Sequence, residues 1–259
     1  LAAAGWQRKI QPGRSSTPTG PPSHGPGMPA DPSSPLDLSP NAALCCRPWD
    51  ARIVVVSSES PDHWVYVVTD IEVDGPWPGP NSMRSFASVA VTLDGTEHGR
   101  FEAVLEELPG AAPNEKTLAW FQSIPEMWAA ATTDPEPVAD VMARYATWVK
   151  SLPGEKTFAA SPLAFDGLWI DFYLRRFTRY GIIQGPYEED RLFDGTGLCL
   201  RSYAAAVTGR PASEISPSSL PAEWFGDVPH THRAIDDALG YANLLVTLGR
   251  RAGSVRSDA

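Results

Sequence analysis

Cysteine is scarce in this chain. Its 259 residues hold three, Cys45, Cys46 and Cys199. The first two are adjacent and cannot readily bridge one another, and no zinc-type Cys-x-x-Cys spacing occurs. A reduced, cytoplasmic setting is the expectation. Basic residues are also in short supply. Lys and Arg number 21 against 31 Asp and Glu, for a net charge of -10. That balance excludes binding to long duplex DNA through a broad basic surface. No apolar run approaches the length of a membrane span, so no membrane partner is expected. The first residues lack the basic-then-apolar pattern of a secretory leader. There is no Gly-x-x-x-x-Gly-Lys loop, no Gly-x-Ser-x-Gly elbow, no Gly-x-Gly-x-x-Gly fingerprint and no internal repeat.

What is present divides unevenly. Residues 1–50 are rich in Pro, Gly and Ser, as in GRSSTPTGPPSHGPGMPADPSSPLDLSP. Such a segment buries too little apolar surface to offset its ordering entropy and reads as disordered. Residues 51–252 read as one domain, and 253–259 as a disordered tail. Within the domain, HWVYVVTDI (63–71) is dense in β-branched and aromatic residues and predicts a buried strand. SFASVAVTL (85–93) reads as its hairpin partner and 100–108 as a third strand. Residues 114–131 are helical in spacing but interrupted by Pro125, which predicts a kink or two short helices. A helix over 136–151 and a strand over 156–160 follow. A helix opened by Pro162 is expected to run to about Tyr180. A short element near Leu192 and Phe193, a helix over 197–207, a loop over 211–229 and a last helix over 232–250 complete the chain. Strands first, then helices with one more strand, indicate an α/β fold with a mixed central sheet flanked by helices.

Three constellations carry chemistry. Asp70 and Glu72 stand two residues apart on the first strand, so both side chains leave one face. Like charges side by side repel unless a cation lies between them, and hard oxygen ligands suit Mg²⁺ or Mn²⁺. Asp166 sits in the first turn of the helix after the 156–160 strand, where the helix dipole favours an acid. The third is PHTHRAIDDA (229–238). On a helix, Ala234, Ala238, Tyr241, Ala242, Leu245 and Leu248 form one apolar face. Asp237 lies at its rim and Asp236 points away, so Asp237 is the candidate. His232 precedes it in the loop or first turn. His230 competes for that role from a neighbourhood that reads as loop.

Taken jointly, Asp-x-Glu, the mid-chain Asp and the His with an Asp five residues on resemble the DEDDh group of 3′–5′ exonucleases, and within it the ribonuclease T type. The resemblance spans roughly residues 64–249 and implies a ribonuclease-H-like fold. Asp70, Glu72, Asp166, His232 and Asp237 match its five residues one by one. Ser161-Pro162 stands where many members carry His-Asn. The resemblance implies two Mg²⁺ or Mn²⁺ ions held by the four acids, with His232 as general base. The implied product is a nucleoside 5′-monophosphate released from the 3′ end of single-stranded RNA or DNA, with RNA favoured.

The same resemblance brings the loop after the first motif to the 3′ nucleotide. Trp77 and Met83 are candidates to stack or wedge against bases, whereas Phe86, inside the predicted second strand, reads as core. Arg84, Arg175, Arg176 and Arg233 are candidate phosphate contacts, Arg233 being nearest to the third motif in sequence. Several relatives are homodimers, and the tryptophan-rich helices of 114–151 could form such a surface or pack on the sheet. A structural α/β domain whose acids are coincidental is one rival reading, and two more remain. One is an exonuclease-fold module that binds nucleic acid or protein without catalysis. The other is a phosphodiesterase acting on small nucleotides.

Overall fold

The computed structural model describes residues 64–257; the 1–50 segment and the last two residues of the 253–259 tail lie outside them. Five strands form one sheet in the order β3-β2-β1-β4-β5. They are β1 (Trp64–Val73), β2 (Met83–Val91), β3 (Glu97–Val104), β4 (Glu155–Ala160) and β5 (Leu198–Cys199). β1, β2 and β3 are antiparallel neighbours, whereas β4 runs parallel to β1 and β5 parallel to β4. The helices are α1 (Glu115–Gln122), α2 (Pro125–Thr132), α3 (Val138–Ser151), α4 (Leu163–Phe177), α5 (Leu200–Thr208) and α6 (Ala234–Ser257). No helix among the described residues is long and apolar enough to cross a membrane.

The period of two along β1 builds both layers. Val65, Val67 and Ile71 face one side and pack with α3 and α4 through Tyr145, Val149, Trp169 and Ile170. Tyr66 and Val68 face the other and pack against α5 and α6 through Leu200, Ala238, Tyr241 and Leu245. Asp70 and Glu72 continue the second row. Their partners across the β1–β2 ladder are Ala87 and Ser85. These are small side chains that leave room beside the acids. The alanines of α6 (Ala234, Ala238, Ala242) face the sheet and are buried, so the helix axis comes close.

Several expectations are refined. Pro125 does divide the 114–131 stretch, opening α2 at its first residue after α1 ends at Gln122. The third strand starts and stops earlier than expected. Leu192 and Phe193 belong to no regular element, although both are buried. The region read as one helix over 197–207 begins with two residues of β5, too few to leave a periodic signal. The last helix runs through Ser257, so most of the stretch read as a disordered tail is helical. The tryptophans of 114–151 make contacts within the chain: Trp148 against Phe101 and Tyr145, Trp128 against Phe121, and Trp120 against His232.

Candidate active site

Three elements converge at the C-terminal end of β1. Asp70 and Glu72 come from the strand itself. Asp237 comes from the first turn of α6, which lies across β1 and β2. Carboxylate oxygens of Asp70, Glu72 and Asp237 lie within 4.8 Å of one another. Asp166 comes from the first turn of α4, which starts where β4 ends beside β1. A Cβ on the neighbouring Gly167 would stand 3.0 Å from Leu163 Cδ1 and Ile182 Cδ1, so glycine is what lets that turn pack closely. All four acids are more than nine-tenths buried.

Burial of unneutralised carboxylates is costly, and the cluster shows it. Burial, then the charges of Asp166, Glu72 and Asp237, hold the Asp70 carboxyl well above the usual range. Burial followed by Asp237 and Asp166 does the same to Glu72. Burial pushes Asp166 up to about 7, against a lowering by its own backbone N–H, by Arg201 and by the Ser161 backbone N–H. Two buried oxygens, Asp166 Oδ2 and Asp237 Oδ1, have no hydrogen-bond partner. An all-oxygen donor set with orphaned buried oxygens fits a hard divalent cation.

The period of α6 separates its two acids. Asp237 turns inward, whereas Asp236 accepts the Thr231 hydroxyl at 2.6 Å and lies 3.9 Å from Arg233 Nη1. Asp236 thus braces the turn that carries the histidines. His232 sits in that turn with left-handed backbone, φ 57°. Its ring meets Trp120 of α1 edge-on at 5.6 Å and His230 at 4.4 Å. Burial first, and His230 second, lower its pKa, with Asp237 opposing. His230 Nδ1 lies 2.7 Å from Asp237 Oδ1. The contact is short but not aligned as a hydrogen bond, because Asp237 Oδ1 has no donor directed at it.

The remaining candidates separate. Trp77 is 63% exposed at the tip of the loop after β1. That loop is braced by Asp74 accepting from the Ser82 backbone N–H at 2.7 Å and by Asn81 bonding both Trp77 and Ala112. Met83 is a correction: it is fully buried in the core as the first residue of β2, with its backbone N–H bound to Tyr173 Oη. It has no surface to offer a base. Phe86 is core too. Arg84 is corrected likewise, being 7% exposed, paired with Glu107 and Asp74, and set over Trp128. Arg175 is held by Asp171 and the Ile183 carbonyl, and Arg176 lies over Phe172 and Phe177. Both are about 14 Å along α4 from Asp166. Arg233 is half-exposed at the rim, 4.0 Å from Glu102.

Three residues near the acids carry no functional signal in the sequence. Arg201, on the first turn of α5, lines a narrow crevice with Ser161 and Tyr241, and its buried Nε lacks a partner. Tyr241 stands one helical turn beyond Asp237, and burial with the charges of Asp70, Asp237 and Asp166 raises its pKa. Trp120 reaches His232 only through tertiary packing. A separate cavity of about 270 Å³ between β2, residues 222–225 and α6 includes Val91 and Arg250 and none of these groups.

No family model and no curated protein sequence matches the chain. Solved structures do. The nuclease domain of 3′hExo, a DEDDh family member bound to rAMP, matches with a TM-score of 0.52 at 11% identity, over 72% of this chain and 91% of that one. E. coli exonuclease I in complex with a dT13 oligonucleotide matches with 0.53 at 14% identity, over 74% of this chain and 42% of that one. A 3′-exonuclease in 3′-end-specific recognition of a histone mRNA stem-loop matches with 0.52 at 10% identity, over 72% and 81%. This chain therefore spans less than half of exonuclease I and most of the other two. At such identities the likeness is one of architecture: the mixed five-stranded sheet and its flanking helices have the ribonuclease-H-like fold of the DEDDh 3′ exonucleases.

Proposed function

We propose that this protein is a metal-dependent 3′–5′ exonuclease that shortens single-stranded nucleic acid, RNA ahead of DNA, to nucleoside 5′-monophosphates. The observation that carries the reading is the burial of four carboxylates at one strand end of this fold: Asp70, Glu72 and Asp237 share one donor set, and Asp166 stands near enough for its charge to act on Asp70 and Glu72. A purely structural acid cluster would be paired with cations. Among the described residues, no Lys or Arg lies within ion-pair distance of any of the four.

Asp70, Glu72, Asp166 and Asp237 would hold two Mg²⁺ or Mn²⁺ ions. Bound there, such ions lower the pKa of water and neutralise charge on a phosphodiester. The protein's own part is to hold the ligands rigid. β1 fixes Asp70 and Glu72 by its ladder, and the first turns of α4 and α6 fix the other two. His232 is the general base: its lowered pKa keeps the imidazole neutral, and Trp120 limits its motion. Trp77 offers an exposed ring to the terminal base, worth about 1–3 kcal/mol per stacked base. Arg233 reaches a phosphate from the rim. An acidic protein needs few further cations if its substrate is short and the metals carry the positive charge.

The RNA preference follows the ribonuclease T likeness; the neighbours carry rAMP in one case and dT13 in another. The test compares oligonucleotides having a free 3′-OH with the same strands ending in a 3′-phosphate, alongside bis-p-nitrophenyl phosphate as a small diester. Cleavage that needs the free 3′-OH supports the reading. Turnover of the small diester alone would replace it with a small-molecule phosphodiesterase.

A further inference from the structure

Asp237 belongs to two donor sets. One is the carboxylate set with Asp70 and Glu72. The other is His230, His232 and Asp237, whose ligand atoms also lie within 4.8 Å of one another. We infer that His230, His232 and Asp237 form a second, transition-metal site, taking Zn²⁺ or a similar borderline cation, and that its occupation opposes the reaction proposed above.

The donor chemistry argues for it. Mg²⁺ prefers oxygen and keeps its waters, whereas imidazole nitrogen suits Zn²⁺ and its neighbours. Two imidazoles and a carboxylate are a common zinc complement with one position left open. Geometry agrees. Zn–N and Zn–O bonds near 2.0–2.2 Å at tetrahedral angles put donors about 3.3 Å apart. His230 Nδ1 and Asp237 Oδ1 are at 2.7 Å, so an opening of well under 1 Å admits an ion. The two rings are at 4.4 Å, centroid to centroid. Asp237 Oδ1, in a residue 95% buried, has no hydrogen-bond partner and faces this pair. The side chain of His230 is 46% exposed, which leaves an entry path from solvent.

The consequence follows from sharing. A Zn²⁺ here engages His232 and draws on Asp237, so neither serves the hydrolytic site. Zn²⁺ then inhibits although Mg²⁺ is saturating. The inhibition rests on the exonuclease reading; the binding does not.

The test uses the metal-stripped full chain as wild type, His230→Ala and Asp70→Asn. Co²⁺ is titrated as the probe by visible absorption, and Zn²⁺ by calorimetry. Wild type and Asp70→Asn should show a Co²⁺ band that Zn²⁺ displaces, and His230→Ala should bind at least about tenfold more weakly. With each protein's cleavage normalised to its own Mg²⁺-dependent rate without Zn²⁺, the Zn²⁺ concentration for half-inhibition should rise in His230→Ala by about the same factor. Equal Co²⁺ affinity in wild type and His230→Ala overturns the site. Unchanged Zn²⁺ sensitivity in His230→Ala overturns the antagonism. If wild type cleaves nothing with Mg²⁺, the exonuclease reading fails, and the Co²⁺ comparison still decides the site.

Discussion

Asp70 on β1 and Asp237 on α6 bring carboxylate oxygens within 4.8 Å of each other, and both residues are more than nine-tenths buried. Two negative groups held so close out of water destabilise the metal-free fold. Replacing Asp70 by Asn removes one charge at constant shape. The metal-free variant should melt higher than wild type by about 2–4 °C, corresponding to roughly 1 kcal/mol. Mg²⁺ should raise the melting temperature of wild type and leave that of the variant nearly unchanged. Calorimetry with and without Mg²⁺ measures both.

The acids also set a pH dependence. Asp166 is raised from an ordinary 3.8 to about 7, and Asp70 and Glu72 are raised as well. Between those values the folded chain binds protons that the unfolded chain has released. The stability contributed by Asp166 is complete below about pH 4 and is lost as pH rises through about 7, and the raised Asp70 and Glu72 act in the same direction. The EDTA-treated protein should therefore melt lower at neutral pH than in mild acid. Excess Mg²⁺ should reverse that slope, since it binds the ionised form. Thermal melts across pH in both conditions give the sign; a metal-free melting point that climbs over this range would count against the cluster.

Met83 and Trp77 make a paired prediction. Met83→Ala opens a cavity in the core and should cost about 2–5 kcal/mol of stability by urea denaturation. Its nucleic-acid affinity, measured where it remains folded, should be that of wild type. Trp77→Ala should leave stability alone and weaken binding of a 3′ end by about 1–3 kcal/mol in calorimetry.

Burial lowers the pKa of His232, and the general-base role proposed for it requires the neutral imidazole. The acid limb of the pH–rate profile should have its midpoint below 6.5, the ordinary imidazole value. Trp120→Ala uncovers the ring and should move that limb upward as well as lowering the rate. An unmoved limb would mean that Trp120 does not govern the environment of His232.

Much of this arrangement was readable along the chain, for local reasons. The period of two put Asp70 and Glu72 on one face, and the period of 3.6 chose Asp237 over Asp236 for burial. Pro125 marked a helix boundary. What was not readable is tertiary. Met83 carries no strand signal because β2 begins two residues before its alternation becomes visible. Arg84 looked free because its partners Asp74 and Glu107 lie across a turn and beyond a strand. Arg201 and Trp120 reach the acids or His232 only when α5 and α1 dock. His230 lies in a loop, as its sequence neighbourhood implies; its approach to Asp237 accompanies the left-handed turn at His232.

The most direct measurement is electrophoresis of a 5′-labelled single-stranded RNA and its DNA counterpart after incubation with wild type or Asp70→Asn, in Mg²⁺, Mn²⁺ or EDTA. A ladder shortening from the 3′ end is expected with either metal, faster on RNA, and absent both in EDTA and with the variant. Intact strands in the presence of folded wild-type protein and metal, or an equal ladder from the variant, would contradict it.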